Sequence, residues 1–198
     1  MNSVNLFWTA GTIVLDDYQI EELLGQGGLG AVYRVRSLST NRIHAVKRIL
    51  PELSLNPERR KAFLAELLIW GGLPSHPNLT AFRFFRRLHS EILVFLEFAD
   101  GGSLSDWIRS QRIPNLSTAI DIAIQSARGL VASHHCGLIH QDVKPSNILM
   151  TSDGVAKITD FSLSKFQPAP LPVPPPLPEN LKVSCRGMTP AYCSPEQA

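Results

Sequence analysis

The residues best equipped for chemistry fall in two clusters, His140-Gln141-Asp142-Val143-Lys144-Pro145-Ser146-Asn147 and, a short hairpin later, Asp160-Phe161-Ser162. Asp142 can accept a proton, and Lys144 can neutralise a transferring phosphoryl group. Asn147 and Asp160 carry the hard oxygen ligands that suit Mg²⁺. Upstream lie a glycine loop, with Gly25, Gly27, Gly28 and Gly30, and a lysine, Lys47, in a strand-like run. In that order the groups predict a site that handles phosphate.

Periodicity supplies the elements that must hold them. Tyr18 to Leu24 and Ala31 to Arg36 read as strands on either side of the glycine turn, and Ile43 to Ile49 as a third. Pro57 opens a helical stretch with Phe63, Leu64, Leu67 and Leu68 at helical spacing, closed by Gly71-Gly72. Ala81 to Phe85 and Ile92 to Phe98 supply two more strands. After Gly101-Gly102 the pattern turns helical. Ser103 caps a short helix, and Leu116, Ile120, Ala123, Ala127 and Leu130 predict a long helix buried along that face. Ile148 to Met150 and Val155 to Thr159 flank Asp153-Gly154, a hairpin signal.

The spacing Gly25-x-Gly27-x-x-Gly30 also occurs in dinucleotide-binding loops, but there a helix follows directly. Here Ala31-Val32-Tyr33-Arg34-Val35 reads as a strand, so the loop is a flap between antiparallel strands that can cover phosphates. Lys47 alone would be an ordinary surface lysine, and Glu66 a solvated helix charge. Read together, they can form the ion pair that aims a lysine at phosphates.

Bulk properties narrow the setting. With 198 residues, 44% hydrophobic and 18% charged, the chain can build real cores. A net charge of +2 without a basic stripe argues neither for nor against nucleic acid, and none is expected as a partner. Arg83, Arg86 and Arg87 read as the solvated edge of a strand. Cys136, Cys185 and Cys193 are odd in number and lack CxxC spacing, which predicts a reducing, cytoplasmic setting. No segment has the apolar length of a membrane helix. Seven of the eleven residues Pro168 to Pro178 are proline. Such a run is the ligand shape of polyproline-binding domains, and equally an extended spacer in a surface loop.

From Tyr18 to Ala198 the chain resembles the eukaryotic-type protein kinases, and most of all the serine/threonine branch found in bacteria. The resemblance rests on the glycine loop, Ala45-Val46-Lys47, Glu66, His76-Pro77-Asn78, the Asp142 loop, Asp160-Phe161-Ser162 and Thr189-Pro190-Ala191-Tyr192-Cys193-Ser194-Pro195-Glu196. Lys144 marks the serine/threonine class, and Thr189 matches the threonine that supports Asp142 and Lys144. The resemblance implies an α+β, two-lobed fold. A five-stranded antiparallel N-lobe with one main helix would span 18–98, after an N-terminal extension of residues 1–17. A hinge at 97–102 would lead to a partial helical C-lobe at 103–198, with the proline-rich run inside its activation segment.

It further implies ATP and Mg²⁺ as cofactors and protein Ser or Thr hydroxyls as acceptors. Val32, Ala45 and Leu149 would sandwich the adenine, with Leu96 behind it and the backbone of Glu97 to Ala99 bonded to its edge. Gln141 stands where the family has arginine, Ser162 and Met188 where it has glycine. A neutral amide pairs weakly with a phosphorylated loop, so activity is expected without that modification. Family members continue into further helices beyond the position of Ala198, so the resemblance implies a domain cut short there. Two readings stay open: a transferase, inactive as the isolated fragment, or a nucleotide-binding or scaffolding module without activity.

Overall fold

A computed structural model describes residues 7–27, 30–49, 67–68, 70–161, 165–166 and 189–193. The chain divides into two units, Met1–Leu64 with Ala81–Phe98, and Ala65–Thr80 with Ala99–Ala198. Outside the described residues lie Gly28, the stretch from Pro57 to Glu66, Ser162, the proline-rich run, Cys185, Met188 and Glu196.

The first unit is a six-stranded antiparallel sheet in the order β1-β2-β3-β4-β6-β5. Its strands are β1 (Ile13–Val14), β2 (Tyr18–Gly27), β3 (Gly30–Ser37), β4 (Ile43–Ile49), β5 (Phe82–Leu88) and β6 (Glu91–Glu97). Alternation sorts the faces. Ala31, Tyr33 and Val35 of β3, Val46 of β4, and Leu93 and Phe95 of β6 gather with Val14 and Ile20 into one core.

All five expected strands are present, and the sheet has one more than the sequence suggests. The extra strand comes from residues 13 and 14: Ile13 pairs with Gln19 and Val14 with Tyr18. Phe7, Trp8 and Leu15 pack on the core as well. A two-residue strand shows no alternation to read, which is why the pattern missed it.

Beneath Trp8 sits a buried ion pair. Arg48 Nε and Nη2 donate to Glu91 Oε2 and Oε1 at 2.7 and 2.6 Å, and the guanidinium lies 4.7 Å from the Trp8 ring centroid. Both carboxylate oxygens are met by the planar fork, the geometry in which burial of a charge pair is tolerable.

In the second unit, α1 (Leu104–Arg109) starts at a capping box, in which Ser103 and Asp106 satisfy each other's backbone N–H. The long helix α2 (Leu116–His135) is capped by the Asn115 side chain, which accepts from the Thr118 N–H. Its C-terminus feeds β7 (Leu138–Ile139), which pairs with β10 (Lys165–Phe166). β8 (Ile148–Met150) and β9 (Ala156–Ile158) form the expected hairpin.

Helix α2 exists where the periodicity puts it, but it buries a different face. Ile122, Ser126, Gly129 and Ser133 are buried, whereas Leu116 is 74% and Ile120 50% exposed. Ala123 and Ala127 are exposed too. The reason is close approach: a Cβ on Gly129 would stand 2.3 Å from the Asn78 carbonyl oxygen. At Gly129 nothing larger fits, while two turns before it the same face has room for Ile122. Likewise Leu67 and Trp70 are buried in the helical stretch near 70, while Leu68 is 67% exposed.

Candidate functional site

Helix α2 delivers the chain to the catalytic candidates. After Gly137 and β7, the backbone turns through a left-handed residue, Gln141 (φ 63°), so that Asp142 follows at once. His140 braces this turn from beneath. It is 1% exposed; its Nε2 lies 2.8 Å from the Thr159 carbonyl, and its Nδ1 accepts the Asp142 N–H at 3.2 Å. That pair of bonds requires the neutral Nε2–H tautomer. Burial pushes its pKa below the usual histidine value, in spite of the Thr159 bond and the nearby Asp160 and Asp142.

Around Asp142 three side chains converge. Lys144 Nζ stands 2.7 Å from Oδ2, and Asn147 Nδ2 donates to the Asp142 carbonyl at 2.8 Å and to Oδ2 at 3.0 Å. Thr189 Oγ1 donates to Oδ1 at 2.8 Å and accepts from Lys144 Nζ at 2.7 Å. Burial raises the Asp142 pKa, but the bonds from Lys144 and Thr189, the Lys144 charge and the Asn147 amide outweigh it and hold the carboxyl below its usual range. An ionised carboxylate has about four lone-pair sites. The protein fills three, which leaves capacity for one hydroxyl donor.

The hairpin sets the metal candidates. Ile148 pairs with Ile158, and the Thr159 N–H donates to the Asn147 carbonyl at 3.0 Å, so Asn147 and Asp160 lie at the same open end. Asp160 is itself left-handed (φ 63°). Asn147 spends its amide nitrogen on Asp142, which leaves Oδ1 as the atom suited to a hard cation. Among the described residues no group of three or more His, Cys, Asp or Glu could hold a metal. Two protein oxygens suit Mg²⁺ none the less, since that ion keeps waters and takes substrate phosphates as further ligands.

One residue of this unit escaped the sequence reading. Trp70, 4% exposed, has its ring centroid 5.6 Å from that of Phe161, which is in turn 4.9 Å from His140. The stack joins the residue after Asp160 to the residue that supports Asp142. A buried aromatic four positions after Glu66 was the available signal.

In the sheet, Val32 pairs with Lys47 and Ala45 with Leu96. Because Tyr33, Val46 and Phe95 face the core, these four occupy the opposite face together. Glu97 caps β6, and its Oε2 accepts the Ala81 N–H at 3.1 Å. The glycines separate into two kinds. Gly30 (φ 142°) is needed by the fold, since a Cβ would come within 1.9 Å of the Arg48 carbonyl. Gly25 and Gly27 have neither positive φ nor any atom within 4 Å of a built Cβ. Their lack of a side chain serves no internal contact and leaves room over the backbone. In the second unit, Gly101 N–H donates to the Met150 carbonyl and Met150 N–H to that of Gly102, both at 2.8 Å, which fixes Leu149 beside the segment that begins at Ala99.

A family model described as the protein kinase domain matches residues 18–197. Over 155 residues the chain is 34% identical to a probable serine/threonine-protein kinase of Clostridium perfringens, covering 78% of this chain and 22% of that one. It is 32% identical over 191 residues to the serine/threonine-protein kinase PknA of Corynebacterium glutamicum, 92% of this chain and 38% of that protein. Aurora kinase of Saccharomyces cerevisiae is 35% identical over 187 residues, 93% of this chain and 47% of the relative. The chain thus spans less than half the length of these curated relatives.

Proposed function

Because this chain belongs to the protein kinase family, we propose that it carries a site for transfer of the ATP γ-phosphoryl group to Ser or Thr hydroxyls of proteins. The observation that carries this reading is the Asp142 carboxylate, ionised, held on three sides and open to one donor. Asp142 orients the acceptor hydroxyl and takes its proton. The Lys144 ammonium, anchored through Thr189, neutralises charge on the moving group. Lys47 aligns the phosphates, and the space over Gly25 and Gly27 admits them. Val32, Ala45, Leu96, Ala99 and Leu149 take the adenine. Asn147 and Asp160 would hold Mg²⁺, which when bound neutralises phosphate oxygens. Positioning and electrostatics account for most of the catalysis in this chemistry.

The serine/threonine class is supported by Lys144 and Thr189 acting on one carboxylate. A reducing, cytoplasmic setting fits Cys136, which forms no disulfide. Among the described residues no helix is long and apolar enough to cross a membrane.

The test has two readouts. ATP with Mg²⁺ should raise the melting temperature, and Lys47→Met should shrink that shift, since a ligand of the folded state stabilises it by mass action. Labelled phosphate should then appear on Ser or Thr of a protein substrate. In a version extended to full domain length, a nucleotide shift without transfer selects the inactive binding module, and phosphotyrosine as the main product overturns the class. A rate that survives phosphatase treatment supports the role given to Gln141.

A further inference from the structure

The two edges of the sheet are finished differently. On one side the two-residue strand β1 covers only the start of β2. On the other, β5 runs for seven residues, pairs with β6 along one side, and among the described residues meets no strand along the other. Its single irregularity falls between Phe82 and Phe84, so Phe84 to Leu88 continues in unbroken register. Such an edge offers a row of backbone donors and acceptors to an incoming strand.

The side chains on this edge say which strand would be accepted. Arg83, Arg86 and Arg87 are exposed, and β5 contains no acidic residue. Their contacts among the described residues are not with carboxylates. Arg86 donates to the Phe85 carbonyl at 3.1 Å and lies over the Phe84 ring, and Arg87 donates to the His89 carbonyl at 2.9 Å. Arg83 acts on His44 as a like charge. The acids of the neighbouring strand are engaged elsewhere: Glu91 by Arg48 and Glu97 by the Ala81 N–H. Among the described residues, three guanidinium groups thus stand along this edge with no carboxylate bonded to them. Phe85, 36% exposed, adds an apolar surface on the face it shares with Arg87.

We propose that the β5 edge is a docking site for an acidic, extended segment of a partner protein, which adds to the sheet as a seventh strand. Main-chain bonds would supply the register, and carboxylates opposite Arg86 and Arg87 the selectivity. A second copy of this chain is a poor occupant. Antiparallel self-pairing centred on Phe85 would set Arg83 of each copy against Arg87 of the other, and like charges directly opposite are destabilising. The inference stands on the sheet alone and does not depend on phosphoryl transfer.

The probe is a fluorescein-labelled nine-residue peptide with two adjacent Glu residues in a Val/Thr frame, and a twin with Lys in place of Glu. Anisotropy should show binding of the Glu peptide that weakens about tenfold with Arg86→Glu/Arg87→Glu, and also with added salt. Hydrogen exchange should slow at the β5 amides when that peptide is bound. Arg86→Gln/Arg87→Gln replaces the reversal variant if that one fails to keep the melting temperature, and should weaken binding in the same direction. No binding, equal binding of the Lys twin, or binding without protection of β5 would overturn the proposal. So would equal competition by a DNA duplex, which would make the edge a general polyanion patch.

Discussion

Among the described residues, each unit holds a close, buried ion pair, and the two differ in nearly everything except length. Arg48 and Glu91 in the sheet meet at 2.6 Å with side chains 6% and 13% exposed. Lys144 and Asp142 in the loop meet at 2.7 Å with 23% and 7%. The sheet pair is a closed fork: both carboxylate oxygens are taken and an aromatic ring lies over the guanidinium. The loop pair is a point charge against a carboxylate that Thr189 and Asn147 share, with the lysine partly wet. Arginine suits the first because its geometry is fixed, and lysine the second because its ammonium can turn from one oxygen to another. A short distance therefore does not identify a functional pair; spare valence and access do.

The sharpest way to break the comparison is to remove one member of each pair and read both rate and stability. Asp142→Asn should cut phosphoryl transfer by about a thousandfold, the scale of a lost general base, while moving the melting temperature little. Arg48→Ala or Glu91→Ala should do the reverse. Leaving one buried charge unpaired costs about 3–5 kcal/mol, or roughly 10 °C of melting temperature for a chain of this size, with the rate of the remaining folded protein near normal. If Arg48→Ala abolished transfer in folded protein, the division of roles would fail.

A finer cut falls on Thr189. Thr189→Val keeps the shape but removes a hydroxyl that bonds both Asp142 and Lys144. Transfer should fall by about tenfold, the value of roughly one or two net hydrogen bonds, and Thr189→Ser should recover most of it. Equal rates in the Val variant would mean that the lysine needs no tether.

The smallest effect is a pH dependence. His140 has its pKa lowered by burial, so below its ordinary value of 6.5 the unfolded chain gains a proton that the folded one resists. His44 acts with the same sign, through burial and then Arg83 and Arg42. Stability should decline as pH falls from 7 towards 5. A second loss should follow below pH 4, as Asp142, lowered in the folded state, takes up its proton. Urea midpoints across this range test both steps, and His140→Asn should flatten the first.

The loop and its hairpin were legible because their information is local: Asp142, Lys144 and Asn147 lie within six residues, and Asp153-Gly154 announces the turn. The sheet was legible because alternation repeats over seven or more residues. What sequence concealed was close packing. Apolar periodicity put Leu116 and Ile120 inside, whereas the structure buries Ser126 and Gly129, chosen for lack of bulk. It also set Leu68 at the helical spacing of Leu67 and passed over Trp70, because hydropathy alone does not tell which side of a helix meets Phe161.

Both bends at the heart of the site, Gln141 and Asp160, pass through backbone conformations that glycine adopts more cheaply. Each conformation costs on the order of 1–2 kcal/mol for a residue with a side chain. A laboratory selection for thermal tolerance alone would therefore be drawn to these positions first. Glycine at 160 would relax the turn and delete a cation ligand in one step, whereas glycine at 141 would relax it and leave the reacting groups in place. The more heat-resistant offspring of this chain would thus divide into two lineages, one silent and one still working, separated by which of the two bends they eased.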